Sequence, residues 1–188
     1  MLVFIIGLLL FFVPHILPLL MPGLKSSVVS KIGAGRWKGM YSLLSILGLV
    51  LIVFGWRQYR ELAPMIYEPP VWGRHGTMLL TWIALILLSV PRSKPGKILV
   101  AVKHPMVVGT IYWSVGHLLA NGDLASVLLF GLLLAFAIIS RVTEFRKGDP
   151  NPRFVSYRSD IVAVGAGTFI YAVILFFGHV WLSGVALF

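Results

Sequence analysis

The sequence contains no cysteine. That excludes disulfides, thiolate metal sites, iron–sulfur clusters and a cysteine nucleophile. A bound metal or haem has to be held by His, Met, Tyr or a carboxylate. Charge is scarce as well: 12% of the 188 residues are Asp, Glu, Lys or Arg, against ~25% in a soluble domain, while 59% are hydrophobic. Acidic charge is scarcest, with 6 Asp and Glu against 16 Lys and Arg and a net charge of +10. In a soluble chain this excess would point to nucleic acid. Here the basic residues lie between apolar runs, where they set topology and meet anionic lipid headgroups, so no nucleic-acid partner is expected. Also missing are a Ser-His-Asp set, an H-E-x-x-H motif and a phosphate-cradling glycine loop. Gly33-Ala34-Gly35 follows no strand and is no dinucleotide fingerprint.

What is present is a series of long apolar runs. A membrane-crossing helix takes about 20 mostly apolar residues. Six segments qualify: roughly 1–20, 38–56, 72–90, 105–120, 124–141 and 161–185. The expected fold is all-α, a polytopic membrane protein with a single transmembrane domain over 1–188 built as a bundle of about six helices. Asn121-Gly122-Asp123 divides the fourth span from the fifth, with Gly122 capping one helix and Asp123 opening the next. Small residues at Gly109, Gly116 and Ala120, and at Gly165 and Gly167, suit close helix packing.

Lys and Arg number four in 21–38, four in 91–103 and five in 141–160. The alternate connections hold three (Arg57, Arg60, Arg74) and none. The positive-inside rule puts the rich segments in the cytoplasm and both termini outside. Met1 to Val13 has no basic residue before it and no A-x-A site after it, so it reads as a retained first span, not a cleaved signal.

This topology assigns each histidine a depth. His15 lies in the first span toward the cytoplasm, and His104 at the cytoplasmic mouth of the fourth. His75 and His117 lie toward the outer ends of the third and fourth spans, and His179 in the outer part of the sixth. His104 and His117 are separated by about 20 Å of helix, too far to ligate one iron. His15 and His104 share a leaflet and come from different helices, the ordinary way of holding a b-type haem in a bundle. His75 and His117 are secondary candidates, with interhelical hydrogen bonding as the competing reading.

Pro105 places His104 near a helix N-cap, where the helix dipole opposes protonation and favours the neutral, metal-binding imidazole. Lys103 and the unbonded N–H groups there suit a haem propionate, a phosphate or a carboxylate. The competing reading of His104 is a polar interfacial residue. That of His15, between Pro14 and Pro18, is an imidazole bonded to a carbonyl that a proline has freed. Glu144 and Asp160 are expected to be solvated.

Several motifs together resemble the NnrU family of bacterial membrane proteins. They are Pro14-His15, Arg36-Trp37-Lys38-Gly39-Met40-Tyr41-Ser42-Leu43-Leu44-Ser45, Glu68-Pro69-Pro70-Val71-Trp72-Gly73-Arg74-His75, and Lys103-His104-Pro105-Met106 with His117-Leu118-Leu119-Ala120-Asn121-Gly122-Asp123-Leu124. The resemblance implies an association with nitric oxide and nitrite metabolism in denitrifiers. A relative, the zeta-carotene isomerase, binds haem b and isomerises a carotenoid double bond. Its haem histidines correspond to His15 and His104, although the cysteine it carries three residues before the latter is Ala101 here.

The expectation is haem b held by His15 and His104 with Lys103 nearby, acting in nitrogen-oxide metabolism or in a haem-dependent redox or isomerisation step. Its partners would be the lipid bilayer and a membrane redox protein or a hydrophobic small molecule. Two alternatives stay open. One is a non-enzymatic accessory or assembly factor for a membrane reductase. The other is an S-adenosylmethionine-dependent methyltransferase of the isoprenylcysteine type, which shares the basic-His-Pro step and for which only Glu144 and Tyr157 stand in the relevant region. Whether the protein is catalytic stays open with them.

Overall fold

In hydrocarbon a backbone amide finds no water, so an apolar run closes its hydrogen bonds internally as a helix. The computed structural model describes residues 1–185 and follows this rule. Its elements are α1 (Leu2–Leu20), α2 (Pro22–Ile32), α3 (Ala34–Arg60), α4 (Gly73–Leu88), α5 (Lys97–Val102), α6 (Pro105–Ala120), α7 (Leu124–Lys147), α8 (Arg158–Val173) and α9 (His179–Ser183). A π-helical turn, Ile174–Gly178, joins the last two. Among the described residues the only extended pairing is a bridge between Met65 and Asp123.

Among the described residues four helical stretches are long and apolar enough to cross a membrane: Leu2–Leu20, Ala34–Arg60, Leu124–Lys147 and Arg158–Ser183. Helices α4 and α6 coincide with the third and fourth expected spans but have 16 residues each. At ~1.5 Å per residue that is about 24 Å, short of a ~30 Å hydrocarbon layer. The basic segments expected as loops carry helix of their own. Pro22 opens α2 at its first position, and Gly33, at φ 87, closes it. No residue of α2 is buried.

The chain forms two compact units, Met1–Pro64 and Met65–Phe188. In the first, α1 packs along α3. A Cβ at Gly7 or Gly48 would collide with the backbone of the facing helix, so these glycines allow close approach. Phe4, Phe12, Ile52 and Trp56 fill the seam. In the second unit α4 packs on α6 and α8, and α6 on α7. Gly109 and Gly116 face α4, and Gly167 of α8 lies against Leu85 and Ile86, as their spacing predicts. Gly165, by contrast, has open space where a Cβ would stand.

The Asn121-Gly122-Asp123 turn is built differently from expectation in one respect. Asp123 does open α7, its carboxylate accepting from the amide of Ser126 at 2.9 Å. Gly122 does not cap α6 in a left-handed conformation, because the C-cap is Asn121 in extended geometry. Instead Gly122 is where loop 65–67 touches the turn. Ile66 N–H donates to its carbonyl at 2.8 Å, and a Cβ there would strike the Tyr67 carbonyl.

Candidate functional site

In the first unit His15 sits in the proline-containing half of α1. A proline lacks the N–H that bonds the carbonyl four residues back, so Pro14 and Pro18 release the carbonyls of Leu10 and Pro14. His15 bonds a third carbonyl, that of Phe11. Its Nδ1 lies 2.6 Å from the Phe11 carbonyl oxygen, a contact only an Nδ1–H can make favourably. In the neutral ring this leaves Nε2 as the lone-pair nitrogen. A backbone carbonyl that holds the tautomer and orientation of an imidazole in this way is the usual support of a metal-binding histidine. The ring stacks on Phe11, centroids 4.4 Å apart at 26°, with Tyr41 tilted at 5.0 Å.

Beside the ring is a cavity of about 310 Å³ lined by Pro14, His15, Pro18, Lys25, Trp37, Lys38, Tyr41 and Ser42. That volume is at the lower end of the ~300–1,000 Å³ of small-molecule pockets. Three helices contribute. The prolines and His15 come from α1, Lys25 from α2, and Trp37, Lys38, Tyr41 and Ser42 from the start of α3. The last four recur at helical spacing, which puts one face of α3 on the cavity. Lys25 and Lys38 supply all the formal charge on these walls. The first 60 residues of the chain contain no Asp or Glu at all.

In the second unit His104 is the N-cap of α6, as the His-Pro step predicts. Its Nε2 lies 3.2 Å from Asp149 Oδ1. Arg141, near the end of α7, grips the same carboxylate with both arms, Nη1 to Oδ1 at 2.8 Å and Nη2 to Oδ2 at 3.0 Å. Lys103 Nζ is 3.6 Å from Oδ2. Gly148, at φ 92, ends α7 and turns the chain back so that Asp149 meets Arg141 two helical turns earlier. The anion expected beside Lys103 and the α6 N-terminus is thus supplied by the chain's own Asp149. Arg141's hydrogen bonds hold the Asp149 carboxyl below the usual carboxylate range; the neighbouring charges of Arg141, Lys103 and His104 act in the same direction, and partial desolvation opposes them.

Lys103 also carries the only positive φ among the described non-glycine residues, with φ 62 and ψ −47. His104 N–H donates to Val102 O at 2.7 Å across it, making a tight three-residue turn. Such a conformation costs about 1–3 kcal/mol in a residue with a side chain.

The other candidates are placed less suggestively. His75 is exposed in the first turn of α4. His117, in the last turn of α6, bonds Trp113 O through Nδ1 at 2.9 Å and stacks on Phe130 at 4.3 Å. The hydrogen bond therefore stays within α6, and the contact that crosses between helices is the stacking on Phe130 of α7. His179 bonds Val185 O at 2.9 Å. Among the described residues no three His, Asp or Glu side chains gather as a metal-ion site. Glu144 is half-buried and pairs with Lys147 at 3.4 Å, and Tyr157 packs on Phe154. Asp160 is not solvated as expected: it caps α5, accepting from the amides of Lys97 at 2.7 Å and Ile98 at 3.0 Å.

Asp149 and Arg141 escaped the sequence reading because 45 residues separate Asp149 from His104. The signal available was Gly148-Asp149-Pro150 just beyond a helix carrying an arginine eight residues back. Lys25 carried no signal, since its place on the cavity depends on α2 being a helix.

The group implied by the resemblance is haem b, and the two histidines fit it differently. At His15 an oriented Nε2, aromatic walls and two cations suit an iron porphyrin with acidic side chains. At His104 the Asp149 carboxylate already holds Nε2, so only Nδ1 would remain to hold an iron, with Asp149 as the orienting carboxylate.

Neither the curated proteins nor the solved structures compared with the chain gave a match. A family model described as NnrU protein matches residues 3–187, nearly the whole length. The described structure, a set of apolar helices with no strand, agrees with a membrane protein of that kind. The chain belongs to the NnrU family.

Proposed function

We propose that this NnrU-family membrane protein binds b-type haem with His15 as an axial ligand and His104 as the second ligand candidate. Its role would be in nitrogen-oxide (denitrification) metabolism or in a haem-dependent redox or isomerisation step. The observation that carries the reading is His15 itself. A backbone carbonyl at 2.6 Å orients the imidazole, and the ring faces a cavity with aromatic and cationic walls. The family's link to nitrogen oxides supports the metabolic half of the proposal.

Phe11 and its carbonyl hold the ring in place, which removes the rotational freedom a ligand would otherwise lose on binding. Pro14 and Pro18 stiffen the backbone on either side. Trp37 and Tyr41 offer flat apolar faces. When bound, the iron supplies a one-electron redox centre and a Lewis-acidic position for a small ligand. The bacterial inner membrane is the location the family suggests, and both termini outside is the orientation proposed from the distribution of Lys and Arg.

The test is the absorption spectrum of the full-length protein purified in detergent with haem supplied. A Soret band is expected, and His15→Ala is expected to abolish or strongly weaken it, with His117→Ala as the unaffected control. If His15→Ala and His104→Ala both leave the band as it is, the ligand assignment is wrong. Tight S-adenosylmethionine binding by haem-free protein would favour the methyltransferase reading instead.

A further inference from the structure

The His15 cavity has an electrical imbalance that the haem ligand assignment does not use. Lys25 on α2 and Lys38 on α3 reach its wall from two different helices. The walls carry no carboxylate, and residues 1–60 contain none. The one acidic residue of this unit, Glu61, lies at the opposite end of α3 from Lys38, about 34 Å away along the helix at ~1.5 Å per residue. The second unit treats its clustered cations otherwise, closing Lys103 and Arg141 on Asp149. Two ammonium groups on one small cavity repel each other, and an anion between them relieves that repulsion. Apart from His15 and the Ser42 hydroxyl, the remaining walls, Trp37, Tyr41, Pro14 and Pro18, are apolar or aromatic. The complementary molecule is therefore flat and apolar with two acidic groups on one edge.

We propose that Lys25 and Lys38 form the acid-binding edge of the His15 cavity and hold the two carboxylates of the bound molecule, the propionates of the porphyrin. This rests on the haem reading above and adds the orientation: the propionate edge faces α2 and the start of α3. Ammonium–carboxylate contacts are charge-assisted and directional enough to choose one edge of a macrocycle. Because both lysines are exposed, solvent screens part of the attraction, and the preference they confer is about tenfold in affinity.

The experiment titrates full-length detergent-purified protein with haem b and with haem dimethyl ester, whose two propionates are esterified, following the Soret band. Wild type is expected to bind haem b about tenfold more tightly than the ester. Lys25→Gln/Lys38→Gln is expected to lose that preference, with ester affinity and band position unchanged. A wild type that does not discriminate, or a double variant that still does, overturns the lysine assignment and leaves the haem reading standing. The second of those results is also the one expected if the lysines meet only lipid phosphates. A double variant that loses both ligands equally overturns the assignment as well. No Soret band in wild type with either porphyrin overturns the haem reading, and this proposal with it.

Discussion

Two clusters of positive charge in this protein are finished in opposite ways. At Lys103, His104 and Arg141 the charge is closed: a carboxylate from the α7–α8 connection enters, accepts two hydrogen bonds from one guanidinium and approaches an ammonium and an imidazole. At Lys25 and Lys38 the charge is open, bordering a cavity in a unit whose first 60 residues have no acid. The difference separates a tie from the proposed acid-binding edge. The closed cluster holds the chain after α7 against the N-terminus of α6. The open one offers charge to something the unit does not contain. His15 belongs to the open cluster and His104 to the closed one, so the two histidines expected to act alike stand in different chemical settings.

The largest effect that would sharpen this contrast is at His15. His15→Ala removes the oriented nitrogen, and the Soret band of haem-supplied protein should fall to background, while Asp149→Asn should leave most of it. A band lost equally in both variants would erase the distinction between the two clusters. Next is Asp149→Asn itself, which leaves Lys103 and Arg141 facing a neutral amide. Limited proteolysis should then cut within 148–157 several-fold faster than in wild type, since a released loop is the preferred cleavage site. Unchanged cleavage would mean the ion pairs do not tie the loop down.

Acid should imitate that variant. The folded Asp149 carboxyl titrates below its ordinary value of 3.8. The unfolded carboxyl therefore takes up its proton first as pH falls. The contribution to stability is complete well above 3.8, declines below it, and is gone once pH has passed the folded value. Proteolysis of 148–157 by an acid-active protease should rise over that window in wild type but not in Asp149→Asn.

A smaller effect is expected from Gly122→Ala, where the new methyl meets the Tyr67 carbonyl. Overpacking of this kind costs about 1–3 kcal/mol and should lower the melting temperature without changing any ligand titration. The smallest is Phe11→Leu, which removes the ring stacked on His15 at about 0.5–1.5 kcal/mol. It should leave the Phe11 carbonyl, and hence haem binding, nearly intact. A large loss of haem affinity there would move the support of His15 from the carbonyl to the stacked ring.

Much of the helix pattern was legible in the sequence. Pro105, Asp123 and the apolar runs set where α6 and α7 begin, because a missing N–H, a capping carboxylate and the need to satisfy backbone groups in hydrocarbon are all local demands. The positions of α2 and α5 were not legible. Helix α2 buries no residue and so shows no apolar face, and α5, Lys97–Val102, is too short for a helical period to show. Likewise Gly122 announced a turn but not its reason, which is the approach of a loop from 55 residues away.

By itself the sequence determined the family, the helical membrane class, the absence of thiol chemistry and the identity of His15 and His104 as candidates. The family follows from the resemblance carried by the motifs between Pro14 and Leu124, and the others from composition and the order of the apolar runs along the chain. Only the tertiary structure decided that Asp149 closes on His104, that Asp160 caps α5, and that Lys25 and Lys38 border one cavity. Each of these joins charges distant in the chain, and a Coulomb interaction depends on separation in space, which a list of residues does not contain.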